Sequence, residues 1–279
     1  MKKITTNNIS ISNDLPFVLI AGPCQIESAD HALEMAGKIA EICSKLGVQF
    51  IYKSSFDKAN RTSIKGKRGV GLDASLDIFS TIKREIGCPI LTDIHETNQV
   101  EVVSHYVDVL QIPALLCRQT DLIVAAATTG KCINIKKGQF LAPHDMQNAI
   151  DKCVSVGNDQ VMITERGNSF GYNTLVNDMR GIQIMKNTGY PVVFDVTHSV
   201  QQPGALQSQS GGQREFIEVL ARAATATGIA GLFIETHQDP DNAPSDGKCM
   251  LPIQLLSDLL EILVEFDNIA KRYQYLPIK

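Results

Sequence analysis

Short apolar runs alternate with longer amphipathic segments along almost the whole chain. The first run, residues 17–21, is apolar at every position, as in a strand buried on both faces. Residues 28–46 follow with apolar side chains at helical spacing, and Gly47 is typical of a helix end. The same alternation predicts strands at 48–52, 89–92, 107–111, 132–135, 160–164, 191–195 and 229–234, and helices at 73–86, 96–104, 120–129, 146–156, 175–186, 213–227 and 252–273.

These segments make eight strand–helix units. Eight apolar strands in about 260 residues match a closed (β/α)8 TIM barrel, whose parallel strands are covered on both faces. A doubly wound open sheet is the alternative, but Pro23 stands where its glycine-rich, dinucleotide-binding turn would enter a helix. Residues 9–14 add one arm of a short N-terminal β-hairpin. No linker or repeat divides the chain, so residues 1–279 are predicted to form a single barrel domain.

The composition limits the kinds of partner. Hydrophobic residues make up 44% and charged residues 20%, as in ordinary globular proteins. With 26 Lys and Arg against 30 Asp and Glu, the formal charge of -4 provides no general field for holding nucleic acid. An anionic ligand would therefore be held by local cations.

Cysteine usage and the start of the chain indicate the compartment. The seven cysteines are odd in number and widely spaced, and no apolar signal-peptide core follows Met1. No apolar run approaches the roughly 20 residues of a membrane span. The sequence thus predicts a soluble, cytoplasmic protein with reduced thiols.

Polar side chains recur directly behind the predicted strands, which in a barrel is the functional face. The longest such segment, residues 53–63, combines three cations with hydroxyl and amide groups that suit phosphate or carboxylate oxygens. Taken alone it is an ordinary solvated loop. Similar positions behind other strands are occupied by Cys24, Gln25, Asp93, His95, Gln111, Lys136, Lys137, Glu165, Arg166, Asp195, His198, Glu235 and His237. Their recurrence predicts a polar site at this end of the barrel.

Four residues of this face combine soft and hard metal ligands. Cys24, His198 and Glu235 supply a thiolate, an imidazole and a carboxylate, and the loop after the last strand adds Asp246. Such a set suits a borderline divalent ion such as Zn²⁺, Fe²⁺, Co²⁺ or Mn²⁺. Because the ligands are far apart in the chain, an inert buried Cys24 remains the alternative. His237 is predicted to lie behind the ligands.

Two groups of cations are predicted on the same face: Lys53, Lys58 and Arg61, and Lys136 with Arg166. A substrate with adjacent phosphate and carboxylate groups, or two phosphorylated substrates, would use both. The alternatives are that Lys136 and Lys137 form an exposed pair and that Arg166 is engaged in a salt bridge to Glu165.

The ordered motifs from about residue 17 to 252 resemble the 3-deoxy-D-manno-octulosonate 8-phosphate synthase family. The motifs that carry the resemblance are Gly22-Pro23-Cys24, Ile26-Glu27-Ser28, residues 53–63, Thr92-Asp93-Ile94-His95-Glu96, Gln111-Ile112-Pro113-Ala114, Cys117-Arg118-Gln119-Thr120-Asp121, residues 134–140, Phe170-Gly171-Tyr172-Asn173, residues 195–201 and Phe233-Ile234-Glu235-Thr236-His237.

The resemblance implies a homotetrameric (β/α)8 barrel that condenses phosphoenolpyruvate with D-arabinose 5-phosphate and water and releases inorganic phosphate, in lipopolysaccharide (KDO) biosynthesis. It implies that phosphoenolpyruvate is held by Lys53, Lys58, Lys136 and Arg166. It implies that the sugar phosphate is held by Asn60, Arg61 and Ser63, with Gln111 also in contact with substrate and Arg118 and Gln119 reaching across a subunit interface. The residues implied in catalysis are Lys53, Lys58, Asp93, Lys136, His198 and Asp246.

The resemblance is closest to the metal-dependent class, which has cysteine after the first strand where the other class has asparagine. It implies Cys24, His198, Glu235 and Asp246 as the ligands of a divalent ion. The native ion, and whether it activates water or orients the aldehyde, stay open. Two loops depart from the usual pattern: Lys248-Cys249-Met250 follows Asp246-Gly247, and residues 204–209 are poorer in glycine.

Three alternative functions remain. A 3-deoxy-D-arabino-heptulosonate 7-phosphate synthase would carry a loop resembling Lys-Pro-Arg-Thr-Ser, whereas this chain has Ala59-Asn60 between Lys58 and Arg61. A Schiff-base aldolase would use Lys53 or Lys136 as its nucleophile. A non-catalytic binder of sugar phosphates would bind without releasing phosphate.

Overall fold

The structure, a computed structural model, describes residues 1–61, 63–205 and 210–273. In this part of the chain eight parallel strands pair in sequence order: Val18–Gly22, Gln49–Lys53, Ile90–Asp93, Val109–Ile112, Cys132–Lys136, Val161–Glu165, Val192–Asp195 and Gly231–His237. The eighth strand pairs with both the seventh and the first, with Gly231 opposite Val193 and Val18. The ladder therefore closes, and the predicted (β/α)8 barrel is confirmed.

The barrel is surrounded by helices that follow the strands: Ala29–Leu46, Leu72–Ile86, Thr97–Ser104, Thr120–Thr128, Met146–Val154, Met179–Lys186, Val196–Ser199, Ile217–Thr225 and Leu256–Arg272. The first helix shows how the sequence sets its ends. The Ser28 side chain accepts a hydrogen bond from the backbone N–H of His31, and Gly47 closes the helix with a φ of 67°. Both positions match the expected helix-cap chemistry.

The sixth unit differs from the prediction. Residues 175–178 are not helical, because Thr174–Val176 pairs antiparallel with Asn168–Gly171. The turn of this hairpin holds Tyr172 and Asn173 at positive φ, and the helix begins only after Asp178, whose side chain caps Arg180 N–H. The prediction was wrong because the apolar residues Leu175 and Val176 fit the helical spacing by chance.

The barrel interior is apolar toward the N-terminal ends of the strands, here called the lower end, and polar toward their C-terminal ends, the upper end. One hydrophobic cluster fills its lower part and contains strand residues such as Ile51, Leu91 and Phe233. The hairpin formed by Ile4–Thr6 and Ile9–Ile11 contributes its isoleucines to this cluster and so covers the lower end. A larger cluster packs between the strands and the surrounding helices.

Strand alternation explains the polar upper layer. Successive side chains in a strand point to opposite faces, so the second residue after an inward-facing apolar residue also faces inward. Ile51 is thus followed by Lys53, Leu91 by Asp93, Val109 by Gln111, Val193 by Asp195 and Phe233 by Glu235. In the described residues no helix is both long and apolar enough to cross a membrane.

Candidate active site

The polar end of the barrel opens into a cavity of about 500 Å³. Ten of the residues predicted to act in catalysis, substrate binding or metal binding line it: Lys53, Lys58, Asn60, Arg61, Asp93, Gln111, Lys136, Arg166, His198 and Asp246. They come from barrel strands two to five and from the segments that follow strands two, six, seven and eight. Residues distant in the chain therefore share one concave surface, which is a common form of ligand site.

The proposed metal ligands converge at one side of this cavity. Cys24 Sγ lies 3.3 Å from Asp246 Oδ2, and donor atoms of Cys24, Glu235 and Asp246 all lie within 4.8 Å of one another. His198 Nε2 lies 3.7 Å from Asp246 Oδ2 and 3.9 Å from Glu235 Oε1. The four predicted ligand residues are thus neighbours.

Backbone features bring these ligands together. Gly22 lies so close to the second strand that a Cβ there would come 2.0 Å from the carbonyl oxygen of Lys53. Asp195 caps the short helix Val196–Ser199 by accepting from His198 N–H at 2.9 Å, which fixes the histidine at the start of that helix. Asp246 adopts a φ of 48°, an uncommon conformation for a residue with a side chain.

The charges of the cluster suit a cation. Burial, followed by the Glu235 carboxylate, raises the pKa of the Cys24 thiol. Burial would raise the pKa of Glu235, but Lys53 and His198 hold it below its ordinary value. Glu235 Oε2 is buried and has no hydrogen-bond partner among the described residues. An unpaired carboxylate oxygen beside a thiol, an imidazole and a second carboxylate fits the donor set of a borderline divalent ion.

Lys53 and Lys136 are buried ammonium groups beneath the cavity. Lys53 Nζ donates to Glu235 Oε1 at 2.6 Å and to the carbonyl oxygen of Cys24 at 3.2 Å. Lys136 Nζ donates to Asp195 Oδ2 at 2.6 Å and lies 3.7 Å from the centre of the Phe233 ring. Burial lowers the pKa of Lys136, although the negative charge of Asp195 acts to raise it. The alternative of an exposed lysine pair is wrong, since Lys136 is 6% and Lys137 0% exposed.

Lys58 heads a hydrogen-bonded chain that runs through Ser55 to Asp93 and His95. Its Nζ donates to Ser55 Oγ at 2.9 Å, Ser55 donates to Asp93 Oδ1 at 2.5 Å, and His95 Nε2 lies 2.9 Å from Asp93 Oδ2. Burial would lower the pKa of Lys58, but the acidic groups of Cys24, Glu235 and Asp93 around it raise that pKa well above its ordinary value. Lys58 is therefore held as an ammonium.

Arg166 is a buried guanidinium with spare donors. Its Nη2 donates to Gln201 Oε1 at 2.9 Å, and Gln201 Nε2 in turn donates to Asp246 Oδ1 at 3.0 Å. Its Nη1 has no partner in residues 1–61, 63–205 and 210–273. The alternative salt bridge to Glu165 is not found among these residues; the nearest cation to that carboxylate is Lys137, at 3.6 Å. An unpaired, buried guanidinium nitrogen facing a cavity is suited to an oxyanion.

Three predicted substrate-binding residues do not line the cavity. Ser63 Oγ accepts from Lys65 N–H within its own loop. Arg118 and Gln119 are exposed at the start of the helix Thr120–Thr128, and the Arg118 carbonyl accepts from Lys152. Of the two unusual loops, the first is described only in part, because residues 206–209 lie outside the described residues. In the second, Cys249 is buried and its backbone N–H donates to the carbonyl of Asp246. Thr62, next to Ser63, also lies outside the described residues.

Two site residues were missed at the level of sequence. Ser55 joins Lys58 to Asp93, and Gln201 joins Arg166 to Asp246. Ser55 stands two residues after Lys53, and Gln201 stands three residues after His198. This closeness to residues already predicted to belong to the site is the signal that could have identified them. The cavity as a whole offers fixed cations for phosphate and carboxylate groups beside a candidate metal centre.

Known proteins resemble the chain along nearly its whole length. A family model described as the DAHP synthetase I family matches residues 1–272. A protein of Brucella anthropi named 2-dehydro-3-deoxyphosphooctonate aldolase is 60% identical over 268 residues, covering 96% of this chain and 97% of its own. Proteins of the same name from Bartonella henselae and a Chelativorans species are 61% identical over 96% of this chain and of their own, and 63% identical over 93% and 94%, respectively.

Proposed function

The chain belongs to the DAHP synthetase I family, and we propose that it is a 3-deoxy-8-phosphooctulonate synthase, an aldol-type transferase. It condenses phosphoenolpyruvate with D-arabinose 5-phosphate and water to give 3-deoxy-D-manno-octulosonate 8-phosphate and inorganic phosphate. One observation carries the proposal: five buried or half-buried cations face one cavity beside Cys24 and Asp246. Relatives at 60–63% identity that carry the name of this enzyme support it.

Phosphoenolpyruvate carries its phosphate and carboxylate on adjacent carbons, so it needs several fixed cations. Arg166 with its unpaired Nη1 and Lys136 suit the phosphate, and Lys53 and Lys58 suit the rest of the molecule. Each of these cations is already held by a hydrogen bond, so little reorganisation is needed when the substrate binds. Asn60, Arg61 and Ser63 are proposed to hold the sugar phosphate at the outer end.

The reaction forms one carbon–carbon bond and one carbon–oxygen bond from water, and it breaks the carbon–oxygen bond to phosphate. C3 of phosphoenolpyruvate attacks the sugar aldehyde, whose oxygen gains a proton, while water adds to C2 and loses one. Phosphate then leaves C2. Lys58, kept protonated above Ser55 and Asp93, stabilises the negative charge that develops on the aldehyde oxygen. Gln111 and Asp93 line the same side of the cavity, where they can orient the sugar.

Cys24, His198, Glu235 and Asp246 are proposed to hold a divalent metal ion. When bound, such an ion supplies Lewis-acid polarisation of an oxygen in the reacting substrates. The protein's own part is to keep the two carboxylate ligands ionised: His198 and Lys58 hold the pKa of Asp246 far below its ordinary value against the effect of burial. The thiol proton of Cys24, whose pKa is raised, must be released when metal binds.

Phosphate release is the measurement that tests the reaction. Phosphoenolpyruvate is supplied with arabinose 5-phosphate or erythrose 4-phosphate, each with and without a chelator. We expect turnover with the five-carbon sugar and loss of turnover on chelation. Turnover only with erythrose 4-phosphate would indicate the heptulosonate synthase instead, and saturable binding of sugar phosphate without phosphate release would indicate a binder.

Two further measurements separate the remaining alternatives. Borohydride in the presence of substrate should leave no covalent adduct on Lys53 or Lys136, whereas an adduct would favour a Schiff-base aldolase. Cys24→Ala should abolish metal binding and most activity. Cys153→Ala, at another fully buried cysteine far from the cavity lining, is the matched control and should retain both.

The assembly and location follow as parts of the same proposal. The enzyme works as a homotetramer in the cytoplasm, where phosphoenolpyruvate and the sugar phosphate are available and its buried thiols stay reduced. Arg118 and Gln119, exposed on the single chain, would complete the sugar-phosphate site of a neighbouring subunit.

A further inference from the structure

A hydrogen-bonded cluster lies beside the proposed metal ligands, and the proposed reaction does not use it. Glu27, His31 and His237 place one donor atom each within 4.8 Å of one another. His237 Nε2 lies 2.8 Å from Glu27 Oε1, and the rings of His31 and His237 are 5.0 Å apart. His237 is 3% exposed, whereas the Glu27 side chain remains 32% exposed.

The residue types alone would suit a second metal site, but the position of the proton on the His237 ring argues against one. The backbone N–H of Asp239 donates to His237 Nδ1 at 3.0 Å. A neutral imidazole whose Nδ1 accepts a hydrogen bond carries its proton on Nε2. That proton points at Glu27, so Nε2 has no lone pair to offer a metal ion. The contact is therefore a hydrogen bond from a neutral histidine to a carboxylate.

His31 packs against the same contact from the helix side. Its Nε2 lies 2.8 Å from Gln238 Oε1, an acceptor, so the proton of His31 is on Nε2. Its Nδ1 is buried 3.9 Å from Glu27 Oε1 without a hydrogen-bond partner among the described residues. The first turn of the helix Ala29–Leu46 is thereby joined to the end of the eighth barrel strand.

The position of this contact gives it its significance. Glu27 stands three residues after Cys24, and His237 stands two residues after Glu235 at the end of the strand Gly231–His237. The hydrogen bond thus ties together the two chain segments that carry these two ligands. Outer partners that fix the segments around a metal site typically change metal affinity by about 10–100-fold when they are removed.

We propose that Glu27 and His237 are positioning residues that set the separation of Cys24 and Glu235 for metal binding, an inference that rests on the proposed metal site. Neither residue is a proposed metal ligand or lines the cavity. Without the hydrogen bond the two segments are joined only by the pairing of the first and eighth strands, which ends at Gly22 and Glu235, and the separation of the thiolate and the carboxylate is less well fixed.

Cobalt(II) titration of the metal-free protein tests this, read by the thiolate-to-cobalt absorption band and by competition with a chelator. We expect one equivalent to bind, and Glu27→Ala to lower its affinity about 10–100-fold and to weaken the band. Glu27→Gln keeps an oxygen that accepts from His237 Nε2, so it should recover most of the affinity. Glu34→Ala, which removes only an exposed partner of Lys38 on the same helix, should bind cobalt as the unmodified protein does.

Other outcomes would each decide a different point. Equal cobalt affinity in Glu27→Ala and the unmodified protein would overturn the positioning role but leave the metal site standing. A second bound equivalent that disappears in Glu27→Ala would show a metal ion on this cluster, contrary to the proton assignment. No cobalt binding by the unmodified protein would overturn the metal site itself. If metal-free Glu27→Ala unfolds at the same temperature as the metal-free unmodified protein, a loss of cobalt affinity does not result from a loss of folded protein.

Discussion

At the scale of single residues, the cations of the cavity depend on carboxylates buried beneath them. Lys53 is paired with Glu235, Lys136 with Asp195, and Lys58 with Asp93 through Ser55. Removing one partner of such a buried pair leaves an uncompensated charge, which costs more than the pair contributes. These carboxylates therefore maintain both the cations and the fold.

Asp93→Asn tests this dependence through pH. Burial would raise the pKa of Asp93, but His95 and Lys58 hold it well below its ordinary value. A lowered pKa in the folded state contributes stability that is present above the unfolded pKa of about 4 and is lost as the pH falls through the folded value. Denaturant unfolding should show Asp93→Asn about 2–4 kcal/mol less stable at pH 7, with the difference shrinking below pH of about 4.

The control for this variant is Asp159→Asn, which removes an exposed partner of Lys2. Its stability should stay within about 0.5 kcal/mol of the unmodified protein at pH 7. A stability difference for Asp93→Asn that does not change with pH would contradict the role given to its ionisation.

The buried thiols make a second prediction at this scale. Burial raises the pKa of Cys43 and of Cys132 to about 12 and that of Cys88 to about 11. Only the thiolate reacts with disulfide reagents, so these thiols should stay unlabelled in the folded protein up to a pH of about 9 and react fully in denaturant. Mass spectrometry after timed labelling makes the measurement; rapid native labelling of Cys43 or Cys132 would contradict it.

At the scale of elements, the first two barrel strands approach each other at Gly22. A Cβ there would lie 2.0 Å from the carbonyl oxygen of Lys53, so a larger residue would separate the strand ends that present Cys24 and Lys53. Gly22→Ala should therefore destabilise the protein by about 3 kcal/mol, the upper end of the usual cost of overpacking, and raise the KM for phosphoenolpyruvate. Gly47→Ala, at a helix end with nothing within 4 Å, should cost only about 1 kcal/mol and leave KM unchanged. Equal costs would show that close approach does not govern Gly22.

The hairpin after the sixth strand shows how an element can be misassigned. Leu175 and Val176 continue the spacing of the helix that follows, yet they pair with residues 168–169. The spacing of apolar residues is the same for a helix that begins at 175 as for this hairpin. The pairing of the two hairpin strands depends on a turn in which Tyr172 and Asn173 take positive φ. The other seven large helices and the eight barrel strands were predicted with differences of a few residues at their ends, whereas the short helix Val196–Ser199 and the hairpin strand Ile4–Thr6 were not predicted.

At the scale of the whole molecule, the proposed tetramer predicts a role for a residue outside the cavity. Sedimentation should give four times the mass of the 30.5 kDa chain. If Arg118 completes a neighbour's sugar-phosphate site, Arg118→Ala should raise the KM for arabinose 5-phosphate about tenfold or more, because a charge-assisted hydrogen bond is lost, without changing that mass. The KM for phosphoenolpyruvate is the internal control. A monomeric enzyme with full activity would contradict both parts.

The sequence by itself determined the barrel and most of the residues of the site. Eight apolar runs separated by amphipathic helices leave few other ways to bury the strands, and a barrel requires the residues behind those strands to share one face. Lys53, Lys136 and Arg166 could therefore be placed together from their positions in the chain.

Only the tertiary structure decided how those residues are paired. Glu235 lies between Lys53 and the other proposed metal ligands, and Gln201 joins Arg166 to Asp246. Glu27 is hydrogen-bonded to His237. All of these contacts depend on distances between segments far apart in the chain. Spacing along a strand fixes the face on which a side chain lies. Its partner across the barrel is fixed by strand register, by the approach allowed at Gly22 and by the conformation of the loop that carries Asp246.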